Sequence, residues 1–342
     1  MKPMQSVKFV HSMVPIVTLT PNTGLDLVIF LDHFAWEEAL RAKETVLSMG
    51  GKATDAAMVM AELGSPSLAL GFAAGEAGRR MAAMLESVGA ATDFVWVEGE
   101  TRTNYVIVNR GAGVQTTITT QGMQVREPHL AQLDAKLTRA LENARCLVLG
   151  GSLPPGVPPT AYARWIRMAR EQGVFTIFDA SGEGLRAGLV GQPHLVKPNQ
   201  LELEGLVGVP VRGVADAVVV AQRLREQGIE YVLVTLGDDG AVAVSRQNCY
   251  FIPSLPVPRV VNSAGAGDGM IGGIAHVLGQ GGSWEDALRL GTAAAAAVLL
   301  TPGTAVCHRA DVEAFLPPPV GNFLHSSSAP FLSARGDLTL TT

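Results

Sequence analysis

Short apolar runs rich in β-branched residues alternate, through most of the 342 residues, with stretches whose apolar side chains return every three or four positions. The runs lie at 16–19, 67–72, 146–149, 174–178 and 231–236, and helical spacing occupies 58–63, 81–88, 130–141, 162–169 and 215–224. A parallel neighbour can be reached only through a long crossover, so strand, helix and strand in repeated succession build a parallel sheet. The expected fold is α/β, a mostly parallel central sheet flanked by helices on both faces. Such a sheet is buried on both faces, and a chain that is 47% hydrophobic and 17% charged has the side chains to cover it. One segment breaks the rhythm. Residues 94–97, 104–108 and 114–119 read as strands separated by Gly99 and a turn at 111–113, with no helix between them. They predict a small β-flap over about 92–121, with a contribution from 22–34, that can cover a site or pair with a second copy into a homodimer through its exposed edge.

One domain is expected over 14–320, followed by an aperiodic tail at 321–342 that reads as mobile. With 26 Lys+Arg against 31 Asp+Glu the net charge is -5, which excludes a broad nucleic-acid or anionic-membrane surface and leaves room for a local basic pocket. The uncharged stretch 291–307 is interrupted by Pro302 and Gly303 and falls short of the roughly 20 apolar residues of a membrane span, so it reads as a buried Ala-rich helix and a turn. Cys146, Cys249 and Cys307 lie far apart with no CxxC pair, as reduced structural thiols do. Lys2 and Lys8 are followed by His11, Pro15 and Pro21 rather than by a signal-peptide core, and a cytoplasmic location is expected.

The chemistry concentrates in Asn262-Ser263-Ala264-Gly265-Ala266-Gly267-Asp268-Gly269, where an apolar helical stretch begins. Gly265 and Gly267 let backbone N–H groups close around an anion, and the positive end of the helix points at the same place. By its charge an aspartate is a poor phosphate ligand, but inside such a cradle it can take the proton of an attacking hydroxyl. Asp268 is therefore the candidate general base, with Gly265, Ala266 and Gly267 presenting N–H groups to the transferred phosphoryl. Read in isolation, the same residues equally describe a Gly-rich helix start capped by Asp268. No GxxxxGK[ST] is present, and the GxG falls late in the chain rather than after the first strand, so P-loop and dinucleotide-binding readings fit poorly.

The GAGD segment resembles the signature of the ribokinase-like, or PfkB-type, carbohydrate kinases. Other segments are similar to that family's motifs, in the family's order, over nearly all of residues 14–318. Thr18-Leu19-Thr20-Pro21-Asn22 through Asp26 resembles its first sugar-contact segment. Gly50-Gly51-Lys52-Ala53-Thr54-Asp55 resembles the GGKGxNxA stretch of its sugar-phosphate branch, and Thr101-Arg102-Thr103-Asn104 resembles the flap motif there. Gly151-Ser152-Leu153-Pro154-Pro155-Gly156 matches the GSLPPG turn, and Lys197-Pro198-Asn199-Gln200-Leu201-Glu202 matches KPNxxE. Thr235-Leu236-Gly237 with Gly240 is similar to a nucleotide-contact turn, and Pro302-Gly303-Thr304 to a later loop near the nucleotide. The set is closest to the branch containing 1-phosphofructokinase and tagatose-6-phosphate kinase.

The resemblance implies a ribokinase-like fold and transfer of the γ-phosphoryl of ATP, with Mg²⁺, to a hydroxymethyl group of a ketohexose phosphate. Fructose 1-phosphate, tagatose 6-phosphate and fructose 6-phosphate are the expected acceptors. A kinase for an unphosphorylated sugar or nucleoside, and a non-catalytic sugar-phosphate sensor, are the competing readings. Asn22, Asp26, Gly50, Gly51, Asp55 and Ser152 are implied to contact the sugar, and Lys52 and Arg102 its phosphate. Lys197, Asn199, Glu202, Thr235, Gly237 and Gly240, with Gly265 and Gly267, are implied to contact the nucleotide, and Asn199 and Glu202 to hold Mg²⁺ through water. An Arg fork beside a Lys suits an already phosphorylated sugar, although either residue alone reads as a solvated surface cation. Asn199 and Glu202, three apart at a helix start, alone read as an N-cap and its capping box. Asp55 stands where this branch usually carries a sugar-binding Asn. A carboxylate there repels a phosphate unless it is protonated, turned away or paired with Lys52.

Overall fold

A computed structural model describes residues 16–316; the tail expected at 321–342 lies outside them. In chain order the elements are β1 (Ile16–Asn22), β2 (Gly24–Leu31), β3 (Glu44–Gly50), α1 (Lys52–Glu62), β4 (Ser67–Ala73), α2 (Gly75–Ser87), β5 (Ala91–Thr92), β6 (Val95–Trp96), β7 (Arg102–Asn109) and β8 (Val114–Ile118). They continue with α3 (Glu127–Leu141), β9 (Cys146–Gly151), α4 (Ala161–Glu171), β10 (Phe175–Ala180), α5 (Gly182–Leu189), β11 (Leu195–Val196), α6 (Gln200–Val207) and α7 (Gly213–Glu226). Last come β12 (Tyr231–Thr235), β13 (Ala241–Val244), β14 (Cys249–Ile252), α8 (Ala266–Gly279), α9 (Trp284–Val298) and α10 (Arg309–Phe315).

The main sheet runs β14-β13-β12-β11-β10-β9-β1-β4-β5, with β6 also on β4, and it is parallel from β12 to β5. Every residue of β1, β4 and β9 is buried, as expected where helices cover both faces of a parallel sheet. Alternation then sorts the side chains. Val17, Leu19, Leu147 and Leu149 pack with Tyr162 and Trp165 on one face. Ile16, Val148 and Ile177 meet Met60 of α1 and Ile274 of α8 on the other. The chain leaves β1 to place β4 on one side and later returns to place β9 on the other. That reversal opens a crevice outside the carboxyl ends of β1 and β9, where an open α/β sheet holds its ligand.

A second sheet of four strands, β3-β2-β7-β8, forms the flap. Its composition corrects the sequence reading. Residues 94–97 were expected as the first flap strand, but Val95 is buried in the main core and β6 pairs with β4. The flap instead recruits β3, whose Glu44, Thr45 and Ser48 interrupt the apolar pattern that would have marked it. Val28, Phe30, Val106 and Val108 make its buried face and pack on Val46, Val261 and Ala264, which seats the flap on the loop leading into α8. The Ala-rich stretch is α9, with Ala293, Ala294 and Ala297 buried. Among the described residues no helix is long and apolar enough to cross a membrane.

Candidate active site

Four strand ends surround the crevice. Asn22, ending β1, donates from Nδ2 to Ser152 Oγ just beyond β9, at 3.0 Å. Asp179 lies near the end of β10 and Thr235 ends β12. Helix α1 begins after Gly51, whose φ of +104° favours glycine and whose Cβ would lie 2.8 Å from Thr20 Cγ2 and Thr54 Oγ1. A Cβ on Gly50 would lie 2.6 Å from Asp26 Oδ1. These two glycines serve the site by leaving it room.

Helix α8 faces them. Gly265, at φ +84°, is its N-cap and forms no side-chain cap, so Asp268 in the first turn is not the capping residue of the alternative reading. The N–H groups of Ala266 and Gly267 belong to the opening turn, where helical N–H groups lack intrahelical acceptors. Asp268 lines a cleft of about 750 Å³ together with Lys52, Asp179 and Lys197. Burial first, and then the charge of Asp179, push its carboxyl up to about 7 against the pull of Lys52 and Lys197. A carboxyl poised near neutrality suits a general base.

Lys52 Nζ donates to Asp179 Oδ1 at 2.5 Å and to Glu202 Oε1 at 2.9 Å, and Lys197 Nζ lies 3.0 Å from Asp179 Oδ2. Burial works against the Asp179 charge, but Lys197 and Lys52 hold its carboxyl below the ordinary carboxylate range. Lys52 was expected beside Arg102 on the substrate phosphate. Its Nζ is held by the carboxylates of Asp179 and Glu202, and it pairs with neither Arg102 nor Asp55. The sequence reading missed Asp179 altogether; its signal was a charged residue directly ending the apolar run 174–178. Asn199 and Glu202 form the capping box of α6. Asn199 Oδ1 accepts from Glu202 N at 2.8 Å, and Glu202 Oε2 accepts from Asn199 N at 2.9 Å. Beyond these charges the cleft is walled by Leu255, Val257, Ala295 and Leu299 and by the turn bearing Thr235, Gly237 and Gly240.

Outside the cleft lining, hydrogen bonds join Asn22 to Ser152 and to Arg102, and Asp55 feels the charges of Asp268, Asp26 and Arg102. Asp26 accepts from Asn104 Nδ2 at 2.8 Å, and burial raises its carboxyl despite that bond. Arg102 donates from Nη2 to Asn22 O at 3.2 Å, while its buried Nε, Asn22 Oδ1 and Asp55 Oδ1 have no hydrogen-bond partner. The flap is tied down. Gln115 Oε1 accepts from Ser263 N at 3.0 Å, and Ser48 Oγ both donates to Thr304 O and accepts from Thr304 N. Nothing local in the sequence marks Gln115, whose partner is 148 positions away.

A near-neutral carboxylate beside the free N–H groups of a helix start can accept an alcohol proton while those groups meet a phosphoryl oxygen, which is the chemistry of a phosphotransferase with an alcohol acceptor. The profile of the "pfkB family carbohydrate kinase" matches residues 20–311, and the chain belongs to that family. It is 32% identical over 301 residues to 1-phosphofructokinase of Borreliella burgdorferi, covering 88% of this chain and 96% of the relative. It is 32% identical over 266 residues to tagatose-6-phosphate kinase of Staphylococcus epidermidis, covering 77% and 85%. The crystal structure of phosphofructokinase-2 from Escherichia coli in complex with fructose-6-phosphate superposes with a TM-score of 0.80 at 32% identity, covering 89% and 98%. The fold is ribokinase-like and the protein is a kinase.

Proposed function

We propose that the protein transfers the γ-phosphoryl group of ATP to a hydroxymethyl group of a ketohexose phosphate: fructose 1-phosphate, tagatose 6-phosphate or fructose 6-phosphate. The observation that carries this reading is the position of Asp268, which lines the cleft with Lys52 and Lys197 and faces Asp55 together with Arg102. Asp268 takes the proton of the acceptor hydroxyl as its oxygen meets the γ-phosphorus in line. The N–H groups of Ala266 and Gly267 meet the charge on the transferred group, and Lys52 and Lys197 add their charge from the cleft. Arg102 clamps the phosphate that the acceptor already carries, through its Nε and remaining Nη donors. The relatives named for fructose and tagatose phosphates support this class of acceptor.

The donor set fits Mg²⁺. Asn199 and Glu202 would hold it through water beside Asp179, since the oxygens of both carboxylates are engaged by Lys52, Lys197 and the Asn199 N–H, and no group of three or more His, Cys, Asp or Glu among the described residues makes an all-protein metal cage. Mg²⁺ is commonly held by one or two carboxylates, water and substrate phosphates. When bound it neutralises phosphate charge. Lys52, the bonds of the capping box and Lys197 hold those carboxylates in place. Tyr105, Val114 and Ile118 are exposed on the flap strands and suit a homodimer through this sheet. The three cysteines are unpaired, in keeping with a cytoplasmic setting.

The test is an ADP-release screen with Mg-ATP over the three ketohexose phosphates and their unphosphorylated sugars. Turnover confined to one or more sugar phosphates is expected; release no faster than ATP hydrolysis alone with all three rejects the reading. In the same assay Arg102→Ala raises KM for the sugar phosphate about 10- to 100-fold, the worth of charge-assisted hydrogen bonds, and KM for the unphosphorylated sugar less than about threefold. Equal effects on both would remove Arg102 from phosphate recognition.

A further inference from the structure

Acid outweighs base on the acceptor side of the site. Asp26, Asp55 and Asp268 share it with a single guanidinium, Arg102, because Lys52 is engaged by Asp179 and Glu202, and Lys197 by Asp179. Asp55 sits in the first turn of α1, 2% exposed, and its buried Oδ1 has no hydrogen-bond partner. The charged groups facing it are Asp26 from β2, Arg102 from β7 and Asp268 from α8; on its own helix Lys52 turns to Asp179 and Glu202. At this end β1, β3 and β9 bring only neutral residues, Asn22, Ser48 and Gly151 among them. An ionised Asp55 would face two carboxylates and one arginine in a pocket that must also admit a phosphate dianion.

We propose that Asp55 determines acceptor recognition as a carboxylic acid: its O–H donates a hydrogen bond to a hydroxyl oxygen of the bound sugar phosphate, and the ionised form does not bind this class of acceptor. The inference deepens the sugar-phosphate reading and rests on it. Burial, then Asp268 and Asp26, push the Asp55 carboxyl well above the carboxylate range, with Arg102 opposing. A phosphate clamped by Arg102 weakens that opposition and favours the proton further. The apparent affinity for the acceptor then scales with the fraction of enzyme carrying the proton.

The experiment measures kcat and KM for the best sugar phosphate from pH 7 to 9, above the titration of the substrate's own phosphate near about 6. It compares wild type with Asp55→Asn, whose amide donates but does not titrate, and Asp55→Ala. Wild-type KM is expected to rise with pH, approaching about tenfold per unit once the acid form is the minority. KM of Asp55→Asn stays within about twofold across the range, and that of Asp55→Ala is about tenfold higher and equally flat, the loss of one hydrogen bond. Thermal unfolding without substrate is the second readout. A carboxyl raised in the folded state contributes stability that is lost as pH climbs from its unfolded value toward its folded one. The Tm advantage of Asp55→Asn is therefore absent near about pH 4 and grows to about 2–6 °C by pH 9. Turnover with a flat wild-type KM together with a Tm difference that does not grow with pH, or a KM of Asp55→Asn that rises like the wild type's, overturns the proposal alone. No turnover with any sugar phosphate at any pH overturns the substrate reading and this proposal with it.

Discussion

Asp268→Asn lowers kcat by about 10²- to 10⁴-fold, the usual contribution of a positioned general base, while KM for both substrates stays close to wild type. Asn preserves the shape of the side chain but cannot accept the acceptor's proton, so the loss falls on the chemical step rather than on binding. The fold does not suffer. The wild-type carboxyl is raised to about 7 in the folded protein, mainly by burial, so removing it relieves a cost that grows as pH rises from its unfolded value toward 7. Asp268→Asn consequently melts no lower than wild type at pH 8. The same shift sets the pH profile. A base works deprotonated, so wild-type kcat climbs as pH rises through about 7 and levels above it, and the residual kcat of Asp268→Asn lacks that limb. A near-normal kcat in the purified variant would take the role of base away from Asp268.

The legible part of this site was the part written locally. Gly265, Gly267 and Asp268 lie within four residues, so their helix start could be read from spacing, as could the Asn199 and Glu202 box of α6. The central strands were equally plain, because burial on both faces leaves continuous apolar runs such as those of β1 and β9. What escaped depends on partners distant in the chain. That Lys52 meets Asp179 of β10, 127 positions away, has no local signal. Strand β3 escaped because a flap strand with one wet face carries no strong pattern, and β6 was misplaced because two residues cannot announce which sheet they will join. Bland and functional readings also proved compatible. The Asn199 and Glu202 capping box exists as such, and its Glu202 still reaches Lys52 in the cleft.

Asp179 carries the second large effect, on stability and on the base together. Asp179→Ala lowers stability by about 3–5 kcal/mol, the cost of breaking a buried ion pair, because Lys197 loses its partner and Lys52 keeps only Glu202. For a domain of this size that is a fall in Tm of about 5–8 °C, measurable by calorimetry. Asp179→Asn keeps the volume and one acceptor oxygen, so it folds with a smaller loss and isolates the electrostatic consequence. In the wild type the Asp179 charge raises Asp268, while Lys52 and Lys197 lower it and are themselves partly neutralised by Asp179. Without that charge both lysines act on Asp268 undiminished. The rising limb of kcat therefore moves to lower pH in Asp179→Asn, by about one unit or more on the scale of buried charge pairs, whatever becomes of the plateau. A loss of stability alone would leave the limb at its wild-type position. An unmoved limb would mean that the paired charges of Lys52, Lys197 and Asp179 do not tune the base, and that the near-neutral titration of Asp268 comes from burial alone.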